Sequence, residues 1–124
     1  MIKQFLKCKI HRAKVTEADL NYIGSITIDQ DLMKAAGLAE HEKVQVLNIT
    51  NGNRIETYTL KGKAGSGQIC INGAAAHLIN KGDLIIIVAF CLLEESEIVS
   101  HEPIVIHVDD KNQITQYSTK LILN

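Results

Sequence analysis

Apolar residues in this chain recur at every second position in one short run after another, and turn residues or a brief stretch of helix separate the runs. Residues 2–12 alternate, with Leu6, Cys8 and Ile10 on one face and Lys7, Lys9 and His11 on the other. "KVQVLNIT" and "NRIETYTL" flank Asn51-Gly52, a pair suited to a tight primed turn, and read as a hairpin. "QICI" reads as a short strand and "NGAAAH" as a helical turn. "KGDLIIIVAFCLL" reads as a central strand after a Gly-Asp turn, "EESEIV" as another helical turn, and "PIVIHVD" and "QITQYS" as a last strand pair across "DKN". "TIDQDLMKAAG" is a short helix that Asp29 caps and Gly37 ends in a left-handed stop. "KGKAGSG", residues 61–67, reads as a flexible loop. Strands alternating with only brief helices predict a closed β-barrel rather than a doubly wound sheet. "IDQDLMKAAGLAEHEKVQVLNI" and "INGAAAHLINKGDLIIIVAF" share a plan of short helix, leucine, polar turn and strand, with Leu38 matching Leu78. Two halves of a barrel with pseudo-twofold symmetry would look this way.

At 124 residues the chain makes one domain, with room for a core but not for separate cofactor and substrate domains. A net charge of −1 gives no electrostatic case for nucleic acid or an anionic membrane. The N-terminal "MIKQFLKCKIHRAKV" carries charges throughout and lacks the apolar region of a signal peptide. The longest apolar run, "LIIIVAFCLL", is half a bilayer span as a helix and reads as a buried strand, so no membrane partner and a cytoplasmic location are expected. Cys8, Cys70 and Cys91 are odd in number, far apart and set in apolar segments, which predicts three buried, reduced thiols. The five histidines are scattered, and neither C-x-x-C nor H-E-x-x-H occurs, so no structural metal is expected.

No dinucleotide fingerprint, phosphate loop or nucleophile elbow is present, and "GKAGSG" lacks the Lys-Ser/Thr pair and long helix of a phosphate loop. Any reactive group must come from ordinary residues. The odd feature is Gly24-Ser25 in "NYIGSITID", a turn-type pair set in a strand-like run. Taken alone it reads as a bulge between strands.

The stretches "KIHRAKVTEADLNYIGSITID", "NITNGNRIETYTL", "INGAAAH" and "GDLIIIVAF" resemble the pyruvoyl-dependent aspartate 1-decarboxylase family, up to about residue 108; "YIGSITID" together with "NGAAAH" is the specific signature. The resemblance implies a mainly β chain with short helices, a double-psi β-barrel, assembled as a homotetramer. It implies autocatalytic cleavage into residues 1–24 and 25–124, with Ser25 becoming a pyruvoyl group, the only cofactor. The ketone would take the electron-sink role that pyridoxal phosphate fills elsewhere and convert L-aspartate to β-alanine for pantothenate. A serine hydroxyl lies close to its own preceding carbonyl, and glycine at 24 gives the backbone freedom for a strained peptide and no Cβ in the way of attack.

The resemblance also assigns roles. Lys9 helps bind a substrate carboxylate. Arg54 suits a dicarboxylate through its planar fork, and an extended strand points Arg54 and Tyr58 the same way. Tyr58 is the proton donor. Thr57, on the opposite face of an ideal strand, holds the Gly24 carbonyl and serves the substrate site. Asn72 donates a hydrogen bond, and Gly73, Ala74 and Ala75 begin a helical turn whose N–H groups can receive a carboxylate. Tyr22 and His11 line the site. A maturation protein is left open as a further partner. Two other classes stay open from the residues themselves: a self-cleaving hydrolase that keeps Ser25 as an N-terminal nucleophile, and a barrel that only binds a ligand or partner.

Overall fold

The alternating runs become nine strands. A computed structural model describes residues 1–119, so residues 120–124 of the expected single domain lie outside the described residues. The strands are β1 (Lys3–Lys14), β2 (Glu17–Asp19), β3 (Ser25–Asp29), β4 (Lys43–Asn48), β5 (Arg54–Gly62), β6 (Ile69–Asn72), β7 (Leu84–Leu93), β8 (Ile104–Val108) and β9 (Ile114–Ser118). Helix α1 (Gln30–Ala36), a 3-10 turn (Gly73–His77) and α2 (Glu95–Ile98) interrupt them.

Strand order along the sheet is β2-β6-β3-β5-β4-β7-β1-β8-β9. The wall closes because one stretch of chain serves both of its ends. β1 pairs antiparallel with β7, down to Lys14 opposite Leu84, and the chain then crosses to pair β2 in parallel with β6. At the crossing, the Val15 N–H bonds the Asp83 carbonyl and the Thr16 N–H bonds the Ile69 carbonyl.

The pairing is twofold in plan. β5 is parallel to β3 and antiparallel to β4, just as the β1–β2 stretch is parallel to β6 and antiparallel to β7. β3 against β6 and β4 against β7 are the antiparallel joints between the two halves. The matched helix-strand units therefore occupy equivalent places, and the chain is a double-psi β-barrel. The fit of the leucine pair is looser: Leu38 is buried, whereas Leu78 is 43% exposed.

The interior is built mainly from β-branched residues on the inward face of each strand, including Ile10, Ile26, Ile28, Val46, Ile69, Ile71, Ile85 and Ile87, all at most 1% exposed. Each contributes about 1.5–3 kcal/mol relative to an exposed side chain. The β7 run is buried on both faces at Ile87–Ala89 but not at its end, where Phe90 and Leu92 point outward at 41% and 68% exposure.

Helix α1 forms as its ends predict. The Asp29 carboxylate accepts from the Asp31 N–H, and Gly37 closes the helix at φ 75°. The β4–β5 hairpin is present but its turn is not the tight two-residue kind. Residues 49–53 form a longer connection, because Asn48 and Asn51 side chains accept from the Thr50 and Asn53 N–H groups. The 61–67 segment is not a free loop. β5 extends through Gly62, and the Gly65 and Gly67 N–H groups donate to the buried Asp29 carboxylate at 3.1 and 2.8 Å. Cys8 and Cys70 are buried free thiols, whereas Cys91 is only partly buried. Burial pushes the Cys8 thiol up to about 11.

Candidate active site

In the sheet, Gly24-Ser25 does not interrupt a strand. Residues 20–24 form a bend that leads into β3, and Ser25 is its first residue. The register then places four polar side chains together. Ser25 faces Asn72 and Thr27 faces Cys70 across the β3–β6 ladder, so all four share one face. The Asn72 side-chain nitrogen donates to Ser25 Oγ at 2.9 Å and to Thr27 Oγ1 at 3.0 Å, and the Cys70 thiol donates to Asn72 Oδ1 at 3.1 Å. Ser25 is 1% exposed, and its hydroxyl leans back along the chain toward the Ile23 carbonyl, 3.5 Å away.

Ser25 lies in a cavity of about 380 Å³ lined by Ile23, Gly24, Ser25, Glu56, Thr57, Tyr58, Asn72, Ala74 and Ala75. The cavity exists because the wall is incomplete there. β5 pairs with β3 only from Thr59 onward, opposite Ile26, and with β4 from Arg54 to Tyr58. The β3-side edge of residues 56–58 is therefore open. At an open edge, consecutive residues reach the same space, which is how Thr57 and Tyr58 both line the cavity although alternation points them apart.

The glycine that close packing requires is Gly73. At φ 69° it lies against the 22–24 bend: a Cβ there would sit 2.7 Å from the Gly24 Cα and 2.9 Å from the Tyr22 carbonyl oxygen. A Cβ on Gly24 itself would meet nothing within 4 Å outside its chain neighbours. The clearance is supplied across the ladder, by the residue that opens the 3-10 turn.

The remaining expected residues stand apart from this cavity. Arg54 is on β5 with Tyr58 and on the same exposed face, but about 13 Å further along the strand. Lys9 pairs with Val88, Val88 with Gln45 and Gln45 with Glu56, which sets it three strands, or about 14 Å, from β5. His11 packs its ring on His107 of β8, with centroids 5.1 Å apart. Burial, followed by the charges of Lys9, His107 and Arg12, holds its pKa below the ordinary histidine value. Tyr22 lines a neighbouring cavity with Thr27, Cys70 and Asn72. Cys70 and Thr27 were missed in the sequence, where both look like ordinary strand residues. Their signal is the i, i+2 spacing of Cys70 with Asn72 and of Ser25 with Thr27, which acquires meaning only once the register is known.

Asn72 presents its NH2, a donor, to the Ser25 hydroxyl. A ketone would stand on the Ser25 Cα, one bond away, and a neighbouring donor is the kind of group that it can accept from. Among the described residues, no three His, Cys, Asp or Glu side chains group to hold a metal ion, and no helix is long and apolar enough to cross a membrane.

Fold and site together define a double-psi barrel with a buried serine at an opening in its wall. The aspartate decarboxylase family model matches residues 1–115, and the chain belongs to that family. It is 61% identical to the aspartate 1-decarboxylase of Caldicellulosiruptor bescii over 97% of this chain and 94% of that one. It is 58% identical to the aspartate 1-decarboxylase of Neisseria meningitidis over 92% of this chain and 90% of that one. Among solved structures, the rationally designed mkDPBB_sym1 protein aligns with a TM-score of 0.47 and 12% identity, over 70% of this chain and 96% of its own.

Proposed function

We propose that the chain cuts itself between Gly24 and Ser25, converts Ser25 to a pyruvoyl group and decarboxylates L-aspartate to β-alanine, the product that feeds pantothenate synthesis. The observation that carries this reading is the placement of Ser25: buried, its hydroxyl turned back toward the Ile23 carbonyl, held by Asn72, and lining a cavity with Thr57 and Tyr58.

Maturation needs only atoms of the chain and one water. Ser25 Oγ attacks the Gly24 carbonyl carbon, the C–N bond breaks, and the nitrogen takes the hydroxyl proton, which leaves an ester. Loss of the Ser25 Cα proton with cleavage of the Cβ–O bond frees the Gly24 carboxylate and leaves dehydroalanine. Its enamine takes up water and releases ammonia, leaving the ketone. Thr57 steadies the Gly24 carbonyl, and the bend at 22–24 rests on Gly73.

Once made, the pyruvoyl carbonyl condenses with an amine and accepts the electrons released with carbon dioxide. The chain's own residues do the rest. The Ala74 amide, at the start of the 3-10 turn, has no acceptor within the turn, and Ala74 and Ala75 line the cavity, so this amide suits a carboxylate there. Tyr58, 36% exposed at the cavity rim, delivers the proton that replaces carbon dioxide. Lys9, His11 and Arg54 act on the substrate or line its path. Lys9 and His11 stand across β4 and β7 from the cavity of their own chain, which supports a homotetramer in which they serve a neighbouring copy's site. Location in the cytoplasm completes the proposal, and a maturation protein stays open as a further partner.

Intact-mass measurement, N-terminal sequencing and carbon dioxide release from aspartate and glutamate test this reading. Two fragments with a blocked larger one, and release from aspartate, are expected; Ser25→Ala abolishes both. A free amine on Ser25 would point to the hydrolase instead, and an uncut chain that still releases carbon dioxide would end the proposal.

A further inference from the structure

The Asn72 amide has one donor end and one acceptor end, and its usefulness depends on which end faces residue 25. With the NH2 inward it donates to Ser25 Oγ and leaves the hydroxyl proton to point at the Ile23 carbonyl, 3.5 Å away. Turned by half a rotation, it would set Oδ1 against Oγ and draw that proton to itself. Two of its three side-chain partners do not decide the matter, since the Ser25 and Thr27 hydroxyls donate or accept equally well. The third is the Cys70 thiol, a donor of weak accepting power, 3.1 Å from Oδ1. We propose that Cys70 is a positioning residue: its S–H, bonded to Asn72 Oδ1, turns the Asn72 amide so that the NH2 faces the Ser25 hydroxyl before cleavage.

The setting suits that task. Cys70 is 5% exposed and lies directly opposite Thr27 in the ladder, so the thiol is fixed by backbone pairing on both sides. Burial, and then the carboxylates of Glu17 and Asp19, raise its pKa, so it keeps the proton that it must donate. A thiolate, an acceptor only, would turn the amide the wrong way. The thiol contacts neither the substrate cavity nor the reacting atoms and acts only through Asn72.

This inference rests on the reading of Ser25 given above, and the test separates the two. Cys70→Ser keeps a donor in less volume, Cys70→Val keeps volume without a donor, and Cys70→Ala keeps neither. Two quantities are read on the purified protein: hydrogen exchange of the Asn72 side-chain NH2 by NMR, and the rate of cleavage at Gly24-Ser25. Without the donor, exchange should be roughly fivefold faster and cleavage roughly fivefold slower, the size of one modest hydrogen bond. Serine should restore both to within about twofold. A packing role would reverse the order, with valine best and serine worse, and that ranking would overturn the proposal; so would wild-type exchange in Cys70→Val. The valine–serine comparison stands even where alanine fails to fold. If the wild-type chain neither cleaves nor releases carbon dioxide, the functional reading falls, while the exchange ranking still decides the role of Cys70.

Discussion

Asp29 and Asn72 stand at corresponding points of the two halves, each ending a strand and preceding the helix that follows. Their side chains do opposite things. Asp29 is satisfied locally and structurally: its carboxylate caps α1 and gathers the Gly65 and Gly67 amides, tying a connecting loop to the barrel. Asn72 makes no cap bond to its 3-10 turn and reaches across the ladder to Ser25 and Thr27. The regular, seven-residue α1 follows the first, and a five-residue 3-10 turn opening on a left-handed glycine follows the second. The same fold position can hold structure together or be left free for chemistry. In this barrel the candidate site lies between the halves, with Ser25, Thr57 and Tyr58 from the half with α1 and Asn72, Ala74 and Ala75 from the half with the 3-10 turn.

The comparison breaks most sharply at the glycines. Gly73→Ala should slow cleavage by on the order of 100-fold, since the added Cβ meets Gly24 backbone at 2.7 Å in a left-handed conformation. Gly24→Ala meets nothing and should fold with an unchanged thermal midpoint. Equal behaviour of the two in gel-based cleavage and thermal melts would remove Gly73 from its seat under the bend. Next come the paired residues themselves. Asp29→Ala should cost about 2–3 kcal/mol in urea unfolding, because three N–H groups lose their acceptor. Asn72→Ala should cost about 1 kcal/mol of stability and yet lose most of the cleavage rate. A reversal, with Asn72 the more stabilising, would contradict the division of labour between the halves.

A smaller effect concerns acid. With its folded pKa below the ordinary value, His11 is preferred neutral, so the unfolded chain takes up the proton first as pH falls. Its contribution is intact above about pH 6.5 and declines as the pH drops through that value toward the folded pKa. Thermal midpoints should therefore fall from pH 7.5 to pH 5.5 less in His11→Gln than in the wild type. The smallest effect is a difference in thiol rates. Cys91 should react with a maleimide before Cys8, whose thiol is buried and pushed up to about 11. Mass spectrometry of the native protein after brief labelling would show it.

Much of the barrel was legible because period-two alternation and turn chemistry are local. Asp29 and Gly37 bounded α1, and the alternation of "NRIETYTL" already put Arg54 and Tyr58 on one side. The errors arose where a distant segment intervenes. The 61–67 loop looked free because the Asp29 carboxylate that holds it lies more than thirty residues away. Gly73 read only as the start of a helical turn because the 22–24 bend, its neighbour in space, is far along the chain.

What the sequence determined alone was the set of strands other than β2, the caps of α1, the twofold plan and, through the resemblance of "YIGSITID" and "NGAAAH", the family; those follow from local periodicity, backbone preferences and short motifs. Only the tertiary structure decided that β5 leaves an open edge at residues 56–58, that Ser25 and Asn72 face one another, and that Cys70 and Gly73 support them. Register and closure are properties of two segments at once, and no pattern within one of them fixes which residue of the other it will meet.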